Sequence, residues 1–362
     1  MNERGYNFSA GPATLPESLL IETRDALLNW RSTGMSILEV PHRSDVFIEL
    51  LTEAEEGIRS LMAIPDNYHV LFIGGPARTQ FSMIPMNFIS EGGYGGYLVS
   101  GLWSHKAWRE SQRLKPTICV GSSEPSAFDR APSVDKDMLD SHLQYLFYTP
   151  NETVNGVQIR SIPEVGNVPI IADMTSFILS EPIDVKNYAM IFAGAQKLIA
   201  NAGLTIVIIR DSFAEQIQHQ NIPFLLDYRS HIAERSLAAT PPTFNCYLAT
   251  LMFDWVKEQG GVSAMQEKNS AKSQLLYSMI DNSTLYHCSV HPEDRSVLNV
   301  CFRLNKPDLE EKFIQEAAKN GLLSLRGHRL AGGIRASLYN AMPIEGVQAL
   351  VNFMTHFEKE HT

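Results

Sequence analysis

The sequence predicts an α/β protein: a large domain with a mostly parallel sheet flanked by helices, followed by a small C-terminal α+β domain. Three observations carry this expectation. Residues 169–172, 189–193 and 204–209 are short runs rich in Ile, Val and Ala, bounded by turn residues, as in strands buried on both faces. The stretch HVLFIGGPARTQFSMIPMNFI reads as strand, glycine turn and helix. Beyond Gly260 and Gly261 the pattern becomes a strand (SVLNVCFRL), a helix (DLEEKFIQEAAKN) and a strand (IRASL). The predicted large domain is therefore 16–260 and the small one 261–362, with segment 1–15 packing near the latter.

Composition narrows the function. A chain of 362 residues with 44% hydrophobic and 19% charged residues is globular, and large enough for two domains. A net charge of −10 with no Lys/Arg run argues against nucleic acid as a partner. No stretch reaches the roughly 18 apolar residues of a membrane helix, and the N-terminus lacks a signal-peptide core. The cysteines Cys119, Cys246, Cys288 and Cys301 form no CxxC pair, so neither a metal site nor a disulfide framework is expected. Buried thiols in a reducing cytoplasm are the expectation.

In chain order, Gly11 and Pro12 mark a tight loop, and Pro16 with Glu17 opens a helix whose apolar stripe is Leu19, Leu20, Ile21, Leu27, Leu28 and Trp30. Ser44 and Asp45 read as the cap of a helix running to about Met62, with His42 and Arg43 just before it. Gly74 and Gly75 follow a strand and precede a helix, a place where free N–H groups and a helix dipole favour phosphate. YLVSGLWSHKAW puts Trp103 after another strand. Residues 117–135 read as a strand and a surface loop. YLFYTPNETVNGVQI is a strand entering a polar turn. A helix is expected from about Ser212, then a loop through RSHIAERSLAATPPTF, then helices over 244–258 and 262–280.

The centre of the chain is 170–209. Asp173 ends one apolar run, and Lys197 follows the next, after Ala195 and Gln196. A carboxylate and an amine at the ends of two strands suit pyridoxal phosphate, which needs a lysine for its Schiff base and an acid against its ring nitrogen. Sheet-end aspartates and surface lysines are common, so spacing alone leaves both readings open. Near the C-terminus, LRGHRLAGGIRASLYNAM gathers His328, Arg329 and Arg335, either an anion site or solvated loop cations.

ADMTSFILSEPIDV and FAGAQKLIANAGLTIVIIR resemble the core of the phosphoserine aminotransferase family, fold-type I pyridoxal phosphate enzymes among the class V aminotransferases. The resemblance runs from YNFSAGPATLP to GIRASLYNAMP. It implies that Lys197 carries the cofactor and Asp173 protonates its ring. Trp103 would stack on the ring, and Thr153 and Gln196 would lie beside it. Ala77 and Arg78 would meet its phosphate, joined by Ala239 and Thr240 from a neighbouring subunit. His42, Arg43, His328 and Arg329 would bind the substrate's anionic group, and Arg335 its α-carboxylate. A homodimer with shared sites follows, with L-glutamate and 3-phosphohydroxypyruvate as substrates. The resemblance further implies that the same site could serve the phosphorylated hydroxythreonine of vitamin B6 synthesis.

The chain departs from the family pattern at the phosphate turn. Gly75, Pro76, Ala77, Arg78, Thr79 and Gln80 stand where a glycine run and Arg-Gly-Gln are usual, and Ala239 replaces an asparagine. Pro76 removes an N–H donor, and Thr79 adds a hydroxyl. These changes motivate an alternative, a class V relative with a different amino acceptor. A sulfur-transferring lyase is disfavoured because 325–333 contains no cysteine. Retention of Lys197, Asp173 and Arg335 argues against a non-catalytic scaffold.

Overall fold

The structure, a computed structural model, describes residues 4–218 and 221–361. Residues 1–3 of the predicted N-terminal segment and the last residue of the C-terminal region lie outside these. The chain opens with β1 (Tyr6–Asn7), α1 (Glu17–Ala26) and α2 (Asp45–Met62). There follow β2 (Tyr68–Gly74), α3 (Gln80–Phe88), β3 (Tyr94–Val99), α4 (Leu102–Ser111), β4 (Thr117–Ser122) and β5 (Leu143–Tyr148). A small hairpin, β6 (Asn151–Glu152) and β7 (Val157–Gln158), precedes β8 (Ile170–Asp173), β9 (Met190–Gly194) and β10 (Leu204–Arg210).

The main sheet has the order β2-β10-β9-β8-β5-β3-β4. Neighbours from β9 through β4 pair parallel, while β10 runs antiparallel to both β9 and β2. Only β10 therefore opposes the others, and the C-terminal ends of β2, β3, β5, β8 and β9 share one edge. That edge is where an open α/β sheet leaves a crevice for ligands. Its central strands are largely apolar because both of their faces are covered. In β9, Ile191 and Ala193 join one core and Met190 and Phe192 the other. In β10, Ile206 and Ile208 split from Val207 and Ile209 in the same way. Outside the sheet, α2 buries Phe47, Leu50, Ala54 and Ile58 against that first core, which α7 (Thr243–Glu258) shares through Cys246, Ala249 and Phe253.

Between them the chain passes α5 (Asp211–Ala214) and α6 (Tyr228–Ala233), and α7 leads into α8 (Gly261–Asp281). The remainder comprises β11 (Tyr286–His287), β12 (Asn299–Leu304), α9 (Glu310–Lys319), β13 (Leu322–Leu323), β14 (Ile334–Ser337) and α10 (Ile344–His361). Strands β11, β12 and β14 form an antiparallel sheet over a third core that includes Phe302, Phe313, Leu350 and Phe357. Phe8 belongs to the same core, because β1 pairs parallel with β13.

Several local expectations need correction. The helix expected at Ser212 is only the four-residue α5, and α6 occupies part of the expected loop. Asp227 caps α6, accepting the Arg229 backbone N–H at 2.9 Å and pairing with the Arg229 guanidinium at 2.7 Å. The stripe assigned to α1 does not hold as one face: the helix stops at Ala26, Leu28 is 86% exposed, and Trp30 is buried on a separate turn. Ser44 precedes α2, but its hydroxyl donates to the Pro41 carbonyl at 2.7 Å and caps no N–H. No helix among the described residues is long and apolar enough to cross a membrane.

Candidate active site

The shared strand edge assembles the site. β9 ends at Gly194, and a tight turn returns the chain to β10, with the Ala195 N–H donating to the Leu204 carbonyl at 2.9 Å. Lys197 lies on this turn, beside Asp173 at the end of neighbouring β8. The N-terminal loop closes one side: the Ala13 N–H donates to the Gln196 carbonyl at 2.9 Å. Gly11 has φ +148°, a left-handed backbone that favours glycine, and a Cβ there would stand in ordinary contact with the Lys197 Cγ, at 3.4 Å.

Burial pulls the Lys197 amine down to about 8, against the charges of Asp173 and Glu152, with Arg335 adding to the fall. About a tenth of such an amine is uncharged at pH 7, against roughly three in ten thousand of an ordinary lysine. No hydrogen bond or ion pair among the described residues involves Lys197 side-chain atoms. Asp173 is buried, and one carboxylate oxygen accepts the Thr175 N–H at 3.0 Å. Burial raises its pKa, opposed by the Thr175 hydroxyl and N–H and by Lys197. Asp173 takes part in no ion pair among the described residues.

Trp103 stands beside Lys197 at the start of α4. Its indole N–H donates to the Thr153 hydroxyl at 3.0 Å, and the Lys197 Nζ lies 5.7 Å from its ring centroid. The Arg335 guanidinium reaches across from β14 and donates to the Thr153 carbonyl at 3.1 Å. Thr153 thus joins the indole to the arginine.

The turn after β2 supplies a second feature. Its Gly75 N–H is taken by the Gly203 carbonyl at 2.8 Å and its Thr79 N–H by the Pro76 carbonyl at 3.0 Å. Pro76 has no N–H. The N–H groups of Ala77 and Arg78 have no hydrogen-bond partner among the described residues and open the helical run into α3, the arrangement that binds anions. The Arg78 guanidinium lies 6.0 Å from the Trp103 ring. Behind Ala77, a Cβ at Gly194 would come within 2.7 Å of the Gln196 Oε1.

Positive charge gathers opposite. Burial lowers the pKa of His328, and Arg335, Lys106 and Arg329 lower it further. The Leu330 N–H donates to the His328 Nδ1 at 3.2 Å, so that nitrogen is the acceptor. Lys106, whose Nζ lies 4.7 Å from the Trp103 centroid, is also lowered, by burial and then by Arg78 and Arg329, while Glu152 opposes. Lys106 and Glu152 are site residues that sequence reasoning missed. Lys106 is three positions after Trp103, hence on the same helical face, and Glu152 directly precedes Thr153. His42, Arg43, Ala239 and Thr240 are not brought to the cluster by any hydrogen bond or ion pair among the described residues. Arg43, Ala239 and Thr240 are exposed.

Residues 5–350 match the family model described as Aminotransferase class-V. The chain belongs to the class V aminotransferases. A phosphoserine aminotransferase of Legionella pneumophila (strain Paris) is 51% identical over 361 residues, covering 100% of both chains. A solved phosphoserine aminotransferase of Bacillus circulans subsp. alkalophilus superposes with a TM-score of 0.96 at 39% identity, covering 100% of both chains. Another from Trichomonas vaginalis, described as PLP bound, does so at 0.93 and 38%, covering 97% of this chain and 100% of that one. Class V aminotransferases depend on pyridoxal phosphate, and the site fits it. It holds an amine with lowered pKa, an indole face and, among the described residues, a buried carboxylate without an ion-pair partner and two unpartnered N–H groups beginning a helix.

Proposed function

We propose that this class V aminotransferase is a phosphoserine aminotransferase. It passes the amino group of L-glutamate to 3-phosphohydroxypyruvate, giving O-phospho-L-serine and 2-oxoglutarate in serine biosynthesis. The observation that carries this reading is the convergence of Arg335, His328, Arg329 and Lys106 beside Lys197, which suits a substrate with both a carboxylate and a phosphate. When bound, pyridoxal phosphate supplies the aldehyde that carries the amino group and the ring that draws electrons from the substrate's α-carbon. Lys197 moves the proton at that carbon, as base and then acid. Asp173 keeps the ring nitrogen protonated. Trp103 and Thr153 hold the ring's orientation, and Gln196 closes the pocket behind Ala77. Arg335 clamps the α-carboxylate through its planar fork, and His328 and Arg329 hold the phosphate. A coupled assay tests the reading: phosphohydroxypyruvate should be used far better than hydroxypyruvate, and equal use would refute it.

Under the same reading, the Ala77 and Arg78 N–H groups hold the cofactor phosphate, with the Thr79 hydroxyl replacing the donor lost at Pro76. A hydrogen bond to a charged group is worth about 1.5–3 kcal/mol. Thr79→Gly should therefore raise the cofactor dissociation constant about tenfold or more, and Ala239→Asn should partly restore it. Cofactor titration of the two variants and their combination checks this. Unchanged affinity in Thr79→Gly would make the hydroxyl a bystander.

Ala239 and Thr240 complete the site of a second copy in a homodimer, and His42 and Arg43 help bind the substrate's anionic group, the large and small domains dividing at Gly260 and Gly261. Activity should then require the dimer, and sedimentation that finds an active monomer would reject it. The four free cysteines suit the cytoplasm.

A further inference from the structure

Glu152 has no exposed surface, yet it makes no ion pair among the described residues. One carboxylate oxygen accepts the Ser104 N–H and the Ser104 hydroxyl, both at 2.7 Å. The other accepts the Trp103 N–H at 3.0 Å. Both N–H groups belong to the first turn of α4, where helix donors lack intrahelical partners and the dipole favours negative charge. The carboxylate therefore caps α4 from a different element, the β6–β7 hairpin. Gly101 makes room for it: a Cβ there would stand 2.5 Å from the Glu152 Cγ. The next residue, Thr153, receives the Trp103 indole N–H. Two successive residues of one hairpin thus grip Trp103 at its backbone and at its ring.

We propose that Glu152 is a positioning residue of this site: it anchors Trp103 through the first turn of α4 and supplies, with Asp173, the negative charge facing the Lys197 amine. The inference rests on the assignment of Lys197 as the reactive amine. The charges facing Lys197 are Asp173, Glu152 and Arg335. Those facing Glu152 include Asp173, which burial also disfavours, and the cations Lys197 and Lys106. Burial and Asp173 push the Glu152 carboxyl up, whereas its three donors pull it down. The three donors on its two oxygens favour the carboxylate form against burial. Its charge then delays loss of the Lys197 proton, so Asp173 and Glu152 together oppose the effect of burial.

The test uses the full chain freed of cofactor. Acylation of Lys197 by acetic anhydride is followed against pH by peptide mass spectrometry. In the unaltered chain the rate should rise through about pH 8. In Glu152→Gln, which keeps the size and removes the charge, the midpoint should fall by about one pH unit. An unmoved midpoint overturns the electrostatic role. Ser104→Ala keeps the charge and removes one of the carboxylate's donors, so it remains informative if Glu152→Gln fails to fold. The Trp103 indole N–H signal of nitrogen-15 tryptophan-labelled protein should shift in Ser104→Ala while the Lys197 midpoint stays in place. An unmoved indole signal overturns the anchoring role. If Lys197 of the unaltered chain reacts near neutral pH no faster than surface lysines, the Lys197 assignment falls, and this inference with it.

Discussion

Lys197→Ala is expected to abolish transamination, with kcat falling on the order of 10⁴-fold or more, while the chain stays folded. The loss is large because, on the proposed function, the residue has two tasks, holding the cofactor and moving the proton at the substrate's α-carbon. The second alone is worth about 10²–10⁴-fold. Folding should survive because the amine makes no hydrogen bond or ion pair among the described residues, and burial disfavours its charged form. What alanine removes from the core is a stem beside Gly11 and a cation 5.7 Å from the Trp103 ring. Sodium borohydride reduction of the unaltered holoenzyme should leave a pyridoxyl group on Lys197, read by peptide mass spectrometry, and none in the variant. A label on another lysine would end the assignment. The pH dependence has a definite sign. The amine's pKa lies below the ordinary lysine value, so the uncharged, reactive form grows as pH rises through about 8. Cofactor capture by the free chain should accelerate over that interval.

The residues legible in the sequence are those whose roles are local. Asp173 and Lys197 each follow an apolar run, and those runs proved to be adjacent strands, so their closeness could be read from their places in the chain, while their chemistry came from the family resemblance. Glu152 and Lys106 were not legible, because each matters through a partner distant in sequence. Glu152 caps a helix that begins 50 residues earlier, by the count of Leu102 to Glu152. Lys106 acquires its setting from Arg78 and Arg329. The fold divides in the same way. The short apolar strand runs and the helices α2, α7 and α8 were legible in the sequence, α2 from the Ser44 and Asp45 pair before it. The two-residue strands β1 and β13 carry no period, and exist because the N-terminal segment docks beside the chain's later core. In the last stretch, α10 went unread although Val347, Leu350, Met354 and Phe357 recur at helical spacing.

Asp173→Asn is expected to lower kcat at least 10²-fold, about 2.7 kcal/mol at 1.36 kcal/mol per decade. The substitution is nearly isosteric, and the amide oxygen can still accept the Thr175 N–H that now reaches the carboxylate at 3.0 Å. Packing should change little, which isolates the charge. At this strand end the carboxylate is buried and has no ion-pair partner among the described residues, so on the proposed function its partner would be a protonated ring nitrogen, a proton that a neutral amide cannot hold. Without that charge, Lys197 would remove the proton at the substrate's α-carbon less readily, because the cofactor would supply a weaker electron sink. Asp173 also raises the pKa of Lys197, so the variant's free amine should lose its proton below about pH 8. The two effects oppose one another. The lysine becomes uncharged more readily while catalysis collapses, a combination that unfolding or general loss of packing would not give. Paired measurement of kcat and of the Lys197 titration therefore tests the role directly, and a near-normal kcat would remove Asp173 from it.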